Sequence, residues 1–246
     1  MDARERLRTY LEQRRDLGES ELVLDTMTVD EVMKSIGAIT NGATTIGSSP
    51  PEVFGAGIME LPSLESVADA VSACTRCPLY ATATLGVPGE GAVRARLVCV
   101  GEGPGANEDL TGRPFVGAAG QLLTKILAAV DLPREDVFIT NVVKHRPPNN
   151  RNPAPGEIEA CNPYLVRQLQ LINPKVIVAF GTFAAQTLLN SKTPISRLRG
   201  EVHRYHGIPL IVTYHPAALL RNPAWKRPTW EDVKLARRIL DSATGA

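Results

Sequence analysis

From residue 96 onwards, short apolar segments of strand length alternate with longer segments of helical spacing. The strand-like segments are residues 96–102, 136–144, 175–181 and 209–216, and the helix-like segments are residues 117–132, 156–172, 182–190 and 230–243. The apolar runs are continuous, which is typical of parallel strands that helices cover on both faces. The order therefore predicts an α/β fold, a three-layer αβα arrangement around a central, mostly parallel four-stranded sheet.

The first 65 residues differ from the rest of the chain in composition. Residues 2–16 and 28–36 have the pattern of short helices, and residues 37–63 are rich in Gly, Ser, Thr and Pro without a hydrophobic period. Such a composition is typical of a flexible linker. We therefore expect residues 1–65 to be an extension, a flexible linker with short helices, and residues 66–246 to form the folded domain.

The net charge also differs between nearly the same two regions. Residues 1–70 carry 6 basic and 13 acidic side chains, whereas residues 71–246 carry 21 basic and 13 acidic ones. This asymmetry favours a polyanionic partner for the basic body, although a solvated surface gives the same balance. No apolar run is long enough to span a membrane, and the charged N-terminus lacks the apolar core of a secretory signal. The sequence thus predicts a cytoplasmic chain with no membrane partner.

Polar clusters follow three of the predicted strands. They are GEGPGANED after the first strand, residues 141–151 after the second, and TYHPAALLRNP at the end of the fourth. Ligands of open α/β sheets bind at the carboxyl ends of the strands, so we expect the three clusters to converge on one crevice. The first cluster is rich in glycine but lacks the GK[ST] of a phosphate loop, so it raises the question of what else it holds.

The chain has four cysteines, and two of them, Cys74 and Cys77, form a CxxC motif. Disulfides are rare in cytoplasmic proteins, so the motif favours metal or redox chemistry instead. Cys99 lies inside a predicted buried strand and is expected to be a core residue. Cys161 lies in the helix-like segment EIEACNPYL.

Five segments of the chain, taken in order, resemble the uracil-DNA glycosylase superfamily, and specifically its family 4, the iron–sulfur glycosylases. They are CTRCPLY, VGEGPGANEDLTGRPFVGAAGQLL, ITNVVKHRPPNNRNP, EIEACNPYL and TYHPAALLRNP, and they are collinear over residues 70–240. The resemblance implies a DNA glycosylase that hydrolyses the N-glycosidic bond of uracil in DNA and initiates base-excision repair. Its partner would be single- or double-stranded DNA that contains uracil, and we expect the chain to act as a monomer.

The resemblance also implies which residues bind the base. The glycine loop, with Gly103 and Gly105, would hold a flipped uracil, and Phe115 would stack on it. The side chain of Asn141 would pair with uracil N3–H and O4, a pattern that cytosine does not match. The structural alternatives are a packing turn, a core phenylalanine and an asparagine bonded to its own loop.

Four residues are implied in catalysis. His215 is the candidate donor to uracil O2, where an imidazole stabilises the departing anion. Glu102 and Glu108 are the candidate acids near the sugar, and either could orient the water. Asn150 matches a family position near the scissile bond. For the two glutamates the alternative is a solvated loop carboxylate, and for His215 a hydrogen bond to backbone. The neighbouring Asp109 is expected to be a surface or capping carboxylate.

The residues that follow the histidine are the expected DNA contacts. Leu220 could fill the gap left by a flipped base, and Arg221 could pair with phosphates. The alternative is that both simply begin a helix.

The family holds a 4Fe–4S cluster with four cysteines, and this chain departs from that pattern. Cys74, Cys77 and Cys161 match, whereas His145 stands at the remaining ligand position, in VVKHRPP. We therefore predict a 4Fe–4S cluster with three Cys ligands and one His ligand, for which Rieske centres give precedent. A zinc site or a labile cluster fits the same ligands. A non-catalytic Fe–S nucleic-acid-binding module is the alternative function, and the retained acids and His215 disfavour it.

Overall fold

The computed structural model describes residues 56–243, so the predictions for residues 1–55 lie outside the described residues. The helices in this range are α1 (Ala56–Met59), α2 (Leu64–Ser72), α3 (Ala106–Thr111), α4 (Ala118–Ala128), α5 (Pro155–Ile172), α6 (Thr182–Leu188), α7 (Ile195–Leu198), α8 (Pro216–Arg221) and α9 (Lys226–Ser242). The strands are β1 (Glu90–Gly91), β2 (Leu97–Gly101), β3 (Phe138–Asn141), β4 (Val176–Phe180), β5 (Val202–Tyr205) and β6 (Ile208–Thr213). None of the described helices is long and apolar enough to cross a membrane.

The strands form one sheet in the order β1-β3-β2-β4-β6-β5. The four central strands are parallel, whereas β1 and β5 pair antiparallel at the two edges. The predicted αβα fold with a mostly parallel sheet is confirmed, and the predicted number of strands, four, is corrected to six within residues 56–243. The two edge strands lack the continuous apolar run that marks a buried parallel strand, because each pairs on one side only.

Apolar layers cover both faces of the sheet. Val98 and Val100 pack in the layer that contains α2, α5 and α6, and Leu97 and Cys99 pack in the layer that contains α4 and α9. Successive residues of β2 therefore enter opposite layers, as the two-residue period of a strand requires. Cys99 is fully buried, which confirms that it is a core residue.

Residues 56–65, which the sequence places in the extension, pack on the folded body. Ile58 of α1 is buried in the core. The carbonyl of Leu61 accepts two hydrogen bonds from the Arg167 guanidinium, at 2.8 and 2.6 Å. The hydroxyl of Ser63 caps α2 by accepting from the N–H of Ser66 at 3.2 Å. The packed region therefore reaches Ile58, N-terminal of the boundary predicted at residue 66.

The strands that precede the polar clusters end at the same edge of the sheet. Gly101 faces Asn141 across β2 and β3. Beyond the strands, the N–H of Val143 donates to the carbonyl of Glu102 at 3.1 Å. β6 ends at Thr213, in parallel register with the end of β4. This shared edge brings the chain segments that follow β2, β3 and β6 together.

Candidate active site

A cavity of about 440 Å³ opens where these segments meet; we call it the strand-end cavity. Its walls come from the loop after β2, the end of β3 with its following loop, and the start of α8. The predicted site residues that line it are Glu102, Gly103, Gly105, Glu108, Phe115, Asn141, Asn150, His215 and Arg221. The three polar clusters therefore meet in one crevice, as their positions after the strands predict.

Asn141 supplies a buried acceptor to this cavity. The residue is 1% exposed, and its Oδ1 has no hydrogen-bond partner among the described residues. A buried oxygen without a donor costs about 1–3 kcal/mol, so this position suits a ligand that donates a hydrogen bond. A Cβ atom at Gly101 would collide with Asn141 Oδ1 and with the ring of Phe115, so only glycine fits at the end of β2.

Phe115 forms an aromatic wall of the cavity. Its ring stacks on the imidazole of His215, with centroids 5.4 Å apart and planes at 30°. Its backbone φ is 51°, a left-handed conformation that bulky residues rarely adopt. Arg134 stabilises this turn by donating to the carbonyls of Pro114 and Phe115, and it pairs with Glu90 at 2.6 Å. No sequence signal indicated Arg134 or Glu90, because both are remote from the motifs.

The carboxylate of Glu108 accepts hydrogen bonds from backbone N–H groups of its own loop. Its Oε1 accepts hydrogen bonds from the N–H groups of Val116 and Gly117, at 2.8 and 2.9 Å. Its Oε2 accepts from the N–H of Gly105 at 3.1 Å. These three bonds tie the start of α3 to the turn before α4, as in a capping box that reaches further along the chain.

Glu102 differs from Glu108 in having a carboxylate without a hydrogen-bond donor among the described residues. It follows β2 directly and lines the cavity. Burial raises the pKa of the Glu102 carboxyl above its usual value. Of the two glutamates, Glu102 is therefore the one available to a water molecule or a ligand.

The loop after β3 is held against α3 through Arg146. Its Nε donates to Asn150 Oδ1 at 2.8 Å, and its guanidinium lies 3.9 Å from the carboxylate of Asp109. The sequence favoured a surface or capping role for Asp109, and this was wrong: the side chain is buried. It accepts from the backbone N–H and the hydroxyl of Thr84, at 2.8 and 3.0 Å, and so fixes the segment before β1.

His215 is the N-cap of α8, and its Nδ1 accepts a hydrogen bond from the N–H of Ala217 at 3.2 Å. An accepting Nδ1 places the proton of the neutral ring on Nε2. Burial and the nearby Arg221 lower the pKa of His215 to about 4, although the charge of Glu108 opposes the shift. The imidazole is therefore neutral near pH 7, and its Nε2–H is a hydrogen-bond donor.

At the rim of the cavity, the two consecutive leucines of α8 differ in their exposure to solvent. Leu219 is fully buried, whereas Leu220 is 50% exposed. Arg221 is exposed and lines the cavity, and the exposed Leu220 precedes it on the same helix.

The predicted metal ligands lie in a second region, which we call the cysteine–histidine region: Cys74, Cys77, His145 and Cys161. Cys74 and Cys77 are close enough to Cys161 for their charges to act on it. His145 and Cys74 line a further cavity of about 440 Å³. Within residues 56–243, no group of three or more His, Cys, Asp or Glu side chains is arranged to hold a metal ion.

The chemistry of these donors fits an iron–sulfur cluster. Burial raises the pKa of the Cys161 thiol to about 12 and also raises the pKa of Cys77. Thiols buried in this way require a cationic partner to ionise, and a metal supplies it. Burial lowers the pKa of His145, which favours the neutral imidazole that ligates metals. The donor types are therefore those that iron–sulfur clusters and zinc bind, whereas among residues 56–243 the side chains are not arranged as a ligand set.

Lys144 connects the two regions and was missed by the sequence interpretation, which treated it as the end of a strand. It is fully buried, and its Nζ donates to Thr140 Oγ1 at 2.6 Å and to the Asn141 carbonyl and Gln168 Oε1, each at 2.8 Å. Its backbone N–H donates to Cys161 Sγ at 3.2 Å. A lysine that closes an apolar strand run is the sequence signal that could have indicated this network.

Comparison with known proteins gives a consistent result. The sequence profile of the family described as the Uracil DNA glycosylase superfamily matches residues 88–234. A type-4 uracil-DNA glycosylase of Archaeoglobus fulgidus is 49% identical over 180 residues, which are 70% of this chain and 90% of the relative. A type-4 enzyme of Thermotoga maritima is 46% identical over 72% of this chain and 94% of its own length. A type-5 uracil-DNA glycosylase of Pyrobaculum aerophilum is 34% identical over 54% of this chain and 66% of its own length.

Proposed function

Because the chain belongs to the uracil DNA glycosylase superfamily, and within it to the type-4 enzymes, we propose that it hydrolyses the N-glycosidic bond of uracil in DNA and so initiates base-excision repair. The observation that carries this proposal is the pairing of an unpartnered buried acceptor, Asn141 Oδ1, with a neutral donor, His215 Nε2–H, in one cavity. Uracil presents the complementary groups, a donor at N3–H and an acceptor at O2.

Recognition of the base rests on Asn141 and Phe115. The Asn141 Oδ1 accepts from uracil N3–H, and its amide N–H₂ donates to O4. Cytosine has no proton on N3 and carries a donor at the position of O4, so the same amide rejects it. Phe115 stacks on the base plane, and the glycines at 103 and 105 let the backbone approach the base closely.

His215 and Glu102 have separate roles in bond cleavage. Water adds its oxygen to C1′ of the deoxyribose, and the C1′–N1 bond breaks with its electron pair passing to uracil. The Nε2–H of His215 stabilises the negative charge that develops on uracil O2. Glu102 orients the water, accepts its proton and stabilises the positive charge on the sugar. Asn150, whose Oδ1 accepts a hydrogen bond from Arg146 Nε, is the residue that we assign to contact the nucleotide near the scissile bond.

Glu108 supports this chemistry through the loop. Its three hydrogen bonds to backbone N–H groups fix Gly105 and the residues after Phe115. We therefore assign the orientation of water to Glu102 and the positioning of the loop to Glu108.

DNA binds across the entrance of the cavity. Extraction of a base from the stack leaves a gap that the exposed Leu220 fills, and Arg221 pairs with a backbone phosphate. The proposed substrate is uracil-containing DNA, single- or double-stranded, and the chain acts on it as a monomer.

The proposed cofactor is a 4Fe–4S cluster held by Cys74, Cys77, His145 and Cys161. Hydrolysis needs no electron transfer, so the cluster would supply structural cross-linking between the CxxC segment, the loop after β3 and α5. Support for this assignment is the proximity of Cys74 and Cys77 to Cys161 and the cavity that Cys74 shares with His145.

The proposal is tested by incubating the iron-loaded protein with oligonucleotides that carry one uracil, either single-stranded or in a U·G duplex. Alkali cleaves the abasic product, and a denaturing gel resolves it. Matched oligonucleotides with thymine or cytosine at the same position are the controls. We expect cleavage at uracil alone. Binding of DNA without any cleavage would contradict the proposal and favour a non-catalytic binding module.

A further inference from the structure

An aromatic stack adjoins, along the chain, the segment from His215 to Arg221 that lines the strand-end cavity, and it takes no part in the chemistry described above. The rings of Tyr214 and Trp225 are parallel within 11°, with centroids 4.6 Å apart. Tyr214 immediately precedes His215, so one member of the stack is attached to the segment that carries the imidazole. Trp225 follows α8 in a short 3-10 turn, Pro223–Trp225, and is 38% exposed.

The stack is supported from within the protein. The guanidinium of Arg199 lies over the Tyr214 ring, 4.4 Å from its centroid. Arg199 and Trp225 therefore both pack against the same phenol ring. Arg199 pairs with the buried carboxylate of Asp232 at 2.6 Å, and this carboxylate also accepts from Thr213 Oγ1 at 2.7 Å. Tyr214 is therefore a rigid support against which the indole packs.

The surroundings of Trp225 are basic. Arg221, Lys226 and Arg227 are all exposed and lie within four residues of it along the chain. The combination of a rigid aromatic face and flanking cations is the arrangement by which proteins bind single-stranded nucleic acids, with bases stacked on rings and phosphates paired with basic side chains.

We propose that Trp225 is a stacking platform for an unpaired nucleobase of the DNA strand that enters the strand-end cavity. The inference rests on the proposed function, since it takes DNA as the substrate. The occupant is a base near the uracil, held against the outer part of the indole while Arg221 and Lys226 contact the phosphates on either side. The platform therefore favours strands whose bases are not already stacked in a duplex.

The test uses the tryptophan itself as the probe. The sequence contains two tryptophans, so the variant Trp230→Phe leaves Trp225 as the sole indole fluorophore. This iron-loaded variant is titrated with a uracil-free oligothymidylate and, separately, with an oligonucleotide of the same length that has abasic sites throughout. Fluorescence anisotropy of labelled strands reports how much of each is bound. We expect quenching of Trp225 by the oligothymidylate and little quenching by the abasic strand at equal occupancy.

Affinity is measured in parallel for Trp225→Ala, Trp225→Phe and Val93→Ala. Val93 is 64% exposed and lies in the connection between β1 and β2, so it controls for the loss of an exposed apolar side chain. Loss of one base–aromatic stack is expected to weaken binding of the oligothymidylate by about five-fold or more. Trp225→Phe should retain most of the affinity, and Val93→Ala should match the wild type.

Three results would overturn the platform: equal quenching by both strands, no quenching by bound oligothymidylate, or wild-type affinity in Trp225→Ala. Excision of uracil is assayed on the same preparations. Excision without quenching rejects the platform and leaves the proposed function standing. Quenching without excision supports the platform and rejects the proposed function.

Discussion

The strand-end cavity and the cysteine–histidine region share the loop after β3, which carries Asn150 and His145, yet they are stabilised in different ways. In the cavity, hydrogen bonds fix the reactive side chains: His215 Nδ1 accepts from Ala217, and Glu108 accepts three backbone N–H groups. In the other region, burial raises the pKa values of the Cys77 and Cys161 thiols. The cavity is thus organised by the protein alone, whereas the thiols require a metal to become ligands.

The largest effect that this comparison predicts is on the rate of excision. Glu102→Gln should lower the single-turnover rate by about 100-fold or more, because an amide cannot accept the proton of the attacking water. Thermal unfolding should change little, since no described residue donates to the Glu102 carboxylate. A large fall in Tm with the rate unchanged would reverse the roles assigned to Glu102 and Glu108.

The second prediction concerns the iron content. Cys161→Ser should lower iron affinity by at least about ten-fold, because it removes a thiolate ligand, whereas His145→Cys should retain iron by restoring four thiols. Iron analysis and the visible absorbance spectrum of protein purified without oxygen measure both variants. Full iron loading in Cys161→Ser, or zinc in place of iron in the wild type, would be incompatible with the proposed cluster.

The third prediction separates the two glutamates by stability. Glu108→Ala leaves three backbone N–H groups without their acceptor and should lower the free energy of unfolding by about 2–4 kcal/mol. The expected fall in Tm is about 5–10 °C. Glu102→Ala serves as the matched control, and differential scanning calorimetry of the two should show the larger fall for Glu108. Equal falls would mean that the loop does not depend on Glu108.

The smallest expected effect is a gradual pH dependence. The pKa of Glu102 is raised by burial, so the excision rate should fall with decreasing pH through a midpoint above the ordinary value of 4.5. His215 has a pKa of about 4 and gains its second proton only at lower pH. The single-turnover rate between pH 4 and 8 measures the midpoint. Glu102→Gln should lose this acidic limb, and a wild-type midpoint below 4.5 would contradict the assignment.

The central sheet and the cavity lining were predictable from sequence because both follow from local patterns. Continuous apolar runs marked β2, β3, β4 and β6, and the carboxyl ends of parallel strands share one edge. The edge strands β1 and β5 were missed, since half-exposed strands lack this signal. The roles of Glu102 and Glu108 were also open, because they depend on which carboxylate meets the N–H groups of Val116 and Gly117.

Other parts of the site depend on tertiary contacts that no local pattern records. Arg134 reaches the carbonyl of Phe115 across 19 positions of the chain, and Lys144 joins the Asn141 carbonyl to Gln168. Asp109 was expected at the surface and is buried by its bonds to Thr84, 25 positions away. The local sequence does not distinguish a charged side chain that stabilises a loop, because its partners come close to it only in the folded structure.

The central claim, that the strand-end cavity performs the chemistry while the cysteine–histidine region supports the fold, is tested most directly by comparing two histidines. Single-turnover excision from a saturating single-stranded uracil oligonucleotide is measured for His215→Ala and His145→Ala, each normalised to its folded fraction. We predict that His215→Ala has the iron content and Tm of the wild type, but that its excision rate is lower by about 100-fold. His145→Ala should contain less iron and have a lower Tm, while its folded molecules keep most of the excision rate. Full activity in His215→Ala, or a comparable loss of rate in His145→Ala with iron and Tm intact, would contradict the claim.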